Sequence, residues 1–273
     1  MVNIALGVEY DGSRYHGWQR QKNTPETIQQ KVEIAVSKLA THEVRVVCSG
    51  RTDAGVHAFG QVVHFTTDKV RSPDQWVRGC NTNLPDDIRI VWMQEVDETF
   101  HARFSAVARY YRYEILNRGV KSALYKDHVT TIFNPLDEDL MQSAAQALVG
   151  THDFSSFRAQ GCQASSPFRQ IHWINVKRYH DKIIIDVIAN AFLYHMIRNI
   201  VGSLLPIGLG KAKPEWLVDV LYAKDRTVAG VTAKPDGLYY KGVYYPQRFG
   251  LPYHRAFELY TNKIESGLKP NTT

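Results

Sequence analysis

Short runs of β-branched and aromatic residues alternate with amphipathic helical windows along the whole chain, and they do so in both halves. In the first half NIALGVE (3–9), VRVVCS (44–49), QVVHFTT (61–67) and IRIVWMQEV (88–96) have strand composition. Between them, TPETIQQKVEIAVSKLA (24–40) repeats Ile28, Val32, Ala35, Val36 and Leu39 at helical spacing, with Thr24 as N-cap and Pro25 in the first turn. SPDQWVRGCNTNLP (72–85) reads as a capped helix ending at Pro85. The second half repeats the style. ARYYRYEIL (108–116) is a strand, DEDLMQSAAQALVG (137–150) a helix ending at Gly150, and 171–190 a hairpin turning at His180–Asp181. Helices follow at 191–208 and 214–223, then a last strand, GLYYKGVYY (237–245). Strands and helices in mixed order predict an α+β fold of two similar halves with antiparallel sheets. We place the halves at 1–106 and 107–252, followed by a loosely held tail, 253–273.

A chain of 273 residues can build a sizeable core in either one large domain or two of ordinary size. The N-terminal stretch lacks a basic segment followed by an apolar one, and no apolar run approaches 18 residues, so neither a signal peptide nor a membrane span is expected. Cys48, Cys80 and Cys162 are odd in number and far apart, without a CxxC. That usage points to a reducing, cytoplasmic setting and away from disulfides or a zinc site. The formal charge is +6, with 15 Tyr, 11 Phe and 5 Trp set among the Lys and Arg. Cations interleaved with aromatics suit a polyanion that carries bases, since phosphates are neutralised and bases stack. The plain alternative is a mildly basic enzyme with a solvated surface.

The segment CSGRTDAGVHAFGQ (48–61) holds more than a turn needs. Asp53 before Ala-Gly could simply close an Asx turn. Yet Arg51 stands two residues earlier, and Gly50 and Gly55 bracket the segment, allowing close backbone approach to a ligand. A carboxylate beside an arginine stays ionised, as a nucleophile or base must. In 191–205 a stripe of Tyr194, His195, Arg198, Asn199, Gly202 and Ser203 has Arg198 as its one charge, which reads as a cleft-facing side with a carboxylate or phosphate partner. Tyr111 and Tyr113 share one face of the 108–116 strand, opposite Tyr110 and Arg112. They either pack as ordinary strand residues or offer a ring for an unpaired base. Phosphate-binding, dinucleotide, HExxH and zinc-deaminase patterns are missing, so the expected chemistry uses side chains without cofactor or metal.

GRTDAGVHAFGQ closely resembles the signature of the tRNA pseudouridine synthase A family. YDGSRYHGWQRQ, NTNLPDDIRI, FHARFSAVARYYRY, HDFSSFRA, ANAFLYHMIRNIVG and AKDRT resemble its further blocks in the same order, over about residues 3–252. The resemblance implies two halves whose antiparallel sheets merge into one central sheet, with outer helices and a catalytic cleft between the halves. It implies isomerisation of uridine to pseudouridine at positions 38, 39 and 40 of the tRNA anticodon stem-loop, by a homodimer needing no cofactor. It makes Asp53 the nucleophile, and Arg198 is the candidate for its partner. Tyr111 becomes the ring under the flipped uracil, and Arg51 the cation beside the vacated base position. For His57 and Gln61 we expect no more than bracing of the loop. The competing readings are an RNA-binding module without activity and a carboxylate-dependent nucleoside hydrolase.

Overall fold

The computed structural model describes residues 1–253 and 255–258, so most of the 253–273 tail lies outside the described residues. The chain forms two compact units. The first contains Met1–Val107 and, from later in the chain, Tyr239–Arg255. Its elements in order are β1 (Val2–Tyr10), α1 (Ile28–Ala40), β2 (Val47–Cys48), β3 (His57–Thr67), α2 (Pro73–Asn83) and β4 (Ile88–Val96). β1 lies between β3 and β4, antiparallel to both, and is buried from Asn3 to Val8. At Gly7 a side chain would meet the Trp92 indole at 2.1 Å, so a glycine there lets β4 lay Trp92 across β1.

Local chemistry explains where these elements start. α1 begins at Ile28, not at 24 as the sequence suggested. The Thr24 hydroxyl accepts from Glu26 N and the Pro25 carbonyl from Thr27 N, so residues 24–27 close a turn of their own. The first amides of the helix then find carbonyls elsewhere: Ile28 N donates to Gly17 O (3.2 Å) and Gln29 N to Trp18 O (2.9 Å). β2 is only two residues long because Val46 N donates to the buried Glu33 carboxylate (3.2 Å) and is lost to the sheet. Glu33 also accepts from Gln29 and from Arg45 (3.1 Å). α2 has the expected cap, Ser72 and Gln75 bonding reciprocally, and stops at Asn83, two residues before Pro85.

The second unit contains Ala108–Leu238 and the described residues 256–258. Its elements are β5 (Ala108–Asn117), β6 (Thr130–Ile132), α3 (Glu138–Ala145), β7 (Gly150–Asp153), β8 (Phe168–Tyr179), β9 (Lys182–Ala189), α4 (Met196–Gly208) and α5 (Trp216–Ala223). β5, β9, β8 and β7 follow one another as antiparallel neighbours. The β8–β9 hairpin turns at His180, whose φ of 54° is tolerated there, and at Asp181. α3 is shorter than expected and passes into a 3-10 turn at Gln146–Leu148. α4 starts at Met196, five residues later than expected, because His195 adopts φ 59° and breaks the helical run.

Two pairings depart from the expected antiparallel pattern. β6 runs parallel to β5, and a last strand, β10 (Leu238–Tyr244), runs parallel to β3 through Tyr239↔His57 and Tyr240↔Ala58. Both partners are reached through long connections, so no tight hairpin dictates direction. Among the described residues no helix is long and apolar enough to cross a membrane.

Candidate active site

Ser49 to Val56 connect β2 to β3, and the connector is braced on every side within the first unit. Thr52 points inward and is buried, its Oγ1 2.7 Å from the Tyr10 hydroxyl. Its carbonyl accepts from Trp18 N (3.0 Å), and Gly55 N donates to Tyr15 O (3.3 Å). The 12–18 loop comes this close because it is glycine where it touches. A side chain on Gly12 would meet Val56 O at 1.9 Å, and one on Gly17 (φ 84°) would meet Thr52 O at 2.8 Å. The 16–18 segment that also receives the first amides of α1 therefore supports the residues flanking Asp53. Val56 N closes the turn onto Asp53 O (3.2 Å), with Gly55 at φ 78°.

The β3 side supplies the remaining braces. Gln61 is fully buried; its Oε1 accepts from Ser49 Oγ (2.7 Å) and its Nε2 donates to Gly50 O (2.6 Å). Ser49 Oγ also meets the Tyr240 hydroxyl of β10 at 2.8 Å. The His57 ring stacks on Tyr239 (4.8 Å), and its Nδ1 accepts from Gly12 N and lies 3.0 Å from Asp11. With Thr52 turned inward, Arg51 is exposed and Asp53 half-buried at the rim. Burial pushes the Cys48 thiol up to about 11, against the pull of the Arg51 and Arg103 cations. Cys48 is thus a neutral group at this end of β2, flanked by positive charge. Burial likewise holds the Tyr10 hydroxyl protonated, as a structural hydrogen-bond donor or acceptor.

Tyr111 and Arg198 belong to the second unit. Tyr111 sits on β5 opposite Val187, nearly buried, with the Phe192 ring edge-on at 5.1 Å. On the other face of β5, Tyr110 and Arg112 converge on Asp186 of β9. The Tyr110 hydroxyl donates to Oδ1 (2.8 Å), and Arg112 clasps both carboxylate oxygens (2.8 and 2.9 Å). Arg198 is half-buried in the first turn of α4, and its Nε donates to Ala233 O (2.8 Å).

The polar stripe along α4 is otherwise occupied. Asn199 Oδ1 accepts from Arg226 (3.0 Å) and Thr232 (2.7 Å), and Ser203 Oγ accepts from Gly230 N (2.9 Å). A side chain on Gly202 would meet Val231 O at 1.8 Å. These residues dock the 226–233 loop, while Tyr194 precedes the helix and His195 is its N-cap. Thus Arg51 and Asp53 share one braced loop, while Tyr111 and Arg198 are fixed by separate elements of the other unit. Sequence reasoning passed over Asp186, although a lone acid inside IIIDVIA was a visible signal.

Comparison with known proteins agrees with the motif. The sequence profile described as tRNA pseudouridine synthase matches residues 7–105 and 144–246. A protein of Methylococcus capsulatus named tRNA pseudouridine synthase A is 54% identical over 257 residues, covering 94% of each chain. Relatives of the same name from Pseudoalteromonas atlantica and an Enterobacter species are 55% and 52% identical. They cover 92% and 91% of this chain and 95% and 92% of their own.

Proposed function

Because the chain belongs to the tRNA pseudouridine synthase family, an isomerase family that turns uridine into pseudouridine in tRNA, we propose that it acts on uridines 38, 39 and 40 of the anticodon stem-loop with Asp53 as nucleophile. The reaction breaks an N–C glycosidic bond, turns the uracil and forms a C–C bond. It has no net redox change and consumes no water, so side chains suffice. Ionised Asp53 attacks C6 of the base or C1′ of the ribose, or removes a ribose proton, and stabilises positive charge developing at C1′. Arg198 is the cationic partner assigned to that carboxylate; Tyr111 stacks on the flipped uracil and helps take the C5 proton; Arg51 holds the displaced nucleotide as a planar cation. By resemblance to the family the working form is a cytoplasmic homodimer without cofactor.

The observation that supports this reading best is the brace around residues 49–56. A nucleophile must meet its target within a few tenths of an ångström, and Thr52, Gln61 and Gly17 hold the backbone on both sides of Asp53. The test is nucleotide-resolution mapping of pseudouridine in an unmodified tRNA transcript incubated with the protein. Product at 38, 39 or 40 is expected. Product at other positions overturns the site assignment, free uracil overturns isomerisation in favour of hydrolysis, and tight binding without product overturns both.

A further inference from the structure

Three arginines of the second unit converge beside the segment that carries Phe192 and Tyr194. Arg109, on β5 two residues before Tyr111, donates to Asn190 O (2.7 Å). Asn190 in turn bonds Gln170 of β8, next to Arg169. Arg169 Nη1 donates to Ser166 O and Phe168 O, while its Nε is buried with no hydrogen-bond partner. Arg158 donates to Cys162 O and Ala164 O (both 2.8 Å). Cys162 Sγ accepts from Tyr194 N (3.4 Å), and Tyr194 O accepts from Ala159 N (3.1 Å). Tyr194 is 46% exposed, and its ring lies tilted against that of His195, the centroids 3.9 Å apart.

Three other arginines of this unit meet carboxylates: Arg112 with Asp186, Arg178 with Glu138, Arg118 with Asp181. Among the described residues Arg158 and Arg169 meet no carboxylate: they donate to backbone carbonyls, and Arg158 also lies against the Cys162 thiol. The cations also oppose one another. The Arg169 guanidinium is held below its usual range by burial and by the charges of Arg158 and Arg109, with Cys162 opposing. A half-sheltered pair such as Arg158 and Arg169, repelling each other and without a carboxylate among the described residues, is stabilised by an incoming anion. Aromatic rings beside them suit a strand of nucleotides better than a small anion.

We infer that Arg109, Arg158 and Arg169, with the exposed ring of Tyr194, form a cationic shelf that grips RNA backbone phosphates next to Tyr111. The inference rests on tRNA as the substrate. The shelf's role is positioning: it offsets the unfavourable eversion of the uridine by holding the flanking strand.

The test pairs two measurements. Double replacement R109Q/R169Q, with tRNA binding measured across a salt series, is expected to weaken binding about tenfold near physiological salt. The slope of log affinity on log salt should fall by about 0.7–0.9 for each phosphate that is no longer neutralised, and the kinetic loss should fall on KM. Wild-type affinity and slope in the folded variant overturn the inference. Should that variant not fold, Cys162 in the wild-type protein decides. Burial works against ionisation of its thiol, but the Tyr194 and Ala164 amides and Arg158 outweigh it, so it lies below the usual thiol range. Saturating tRNA should slow its alkylation by iodoacetamide several-fold; an unchanged rate overturns the shelf. Wild-type protein that forms no pseudouridine would instead sink the proposed function, so the two failures are distinguishable.

Discussion

Asp53 and Asp186 are two aspartates set on different kinds of backbone, one on a loop between strands and one inside a strand. Asp186 lies in the middle of β9, buried, with Tyr110 and Arg112 supplying three hydrogen bonds to its oxygens. Its charge is spent on joining β5 to β9. Asp53 stands at the rim of a loop that has its own anchors on either side, in Thr52, Gly55 and Ser49. A carboxylate in mid-strand ties two strands together; a carboxylate on a connector between strands is placed by the backbone anchors on either side of it. The difference predicts that replacing the first aspartate costs stability and replacing the second costs turnover.

Four outcomes would break or sharpen that contrast. The largest is Asp53→Asn, expected to lower pseudouridine formation at least about 10³-fold while Tm stays near wild type, because the loop anchors remain. Mass-spectrometric product analysis and a thermal melt check both halves of the statement. Next, Asp186→Asn should destabilise the protein by about 3–5 kcal/mol by stranding Arg112, seen in urea unfolding, with turnover per folded molecule largely kept. Gly17→Ala should cost about 1–3 kcal/mol and reduce activity as well, since a side chain at φ 84° pushes on Thr52 O and shifts the Asp53 loop.

The last concerns pH. Burial, then the nearby His101, lowers His64 from its ordinary 6.5 to about 4. Between those values the unfolded chain binds more protons at this site than the folded one, so stability rises with pH there and is lost as pH falls from 6.5 toward 4. Denaturant titrations across that window should show the loss, and His64→Gln should flatten it.

Periodicity and caps made much of the architecture readable: IRIVWMQEV and the Ser72 cap stand where the pattern put them. What stayed hidden was set by distant partners. Val46 reads as strand but gives its amide to Glu33, and 191–195 reads as helix until His195 turns left-handed. The loop residues of the candidate site were legible because Arg51, Asp53 and two glycines exceed what a turn requires. The arginine shelf was not, because Arg109 and Arg169 meet only through the β5–β9–β8 register and Arg158 joins them from the connection between β7 and β8.

The parallel pairing of β10 with β3 has a consequence for how the protein is born. Tyr239 stacks on His57, and Tyr240 meets Ser49 although it is translated 191 residues later. The part of the polypeptide that leaves the ribosome first is therefore completed nearly last. Premature termination before codon 239 would release a nascent chain whose Asp53 loop lacks one of its walls, so an incomplete copy is predisposed to be an inert one.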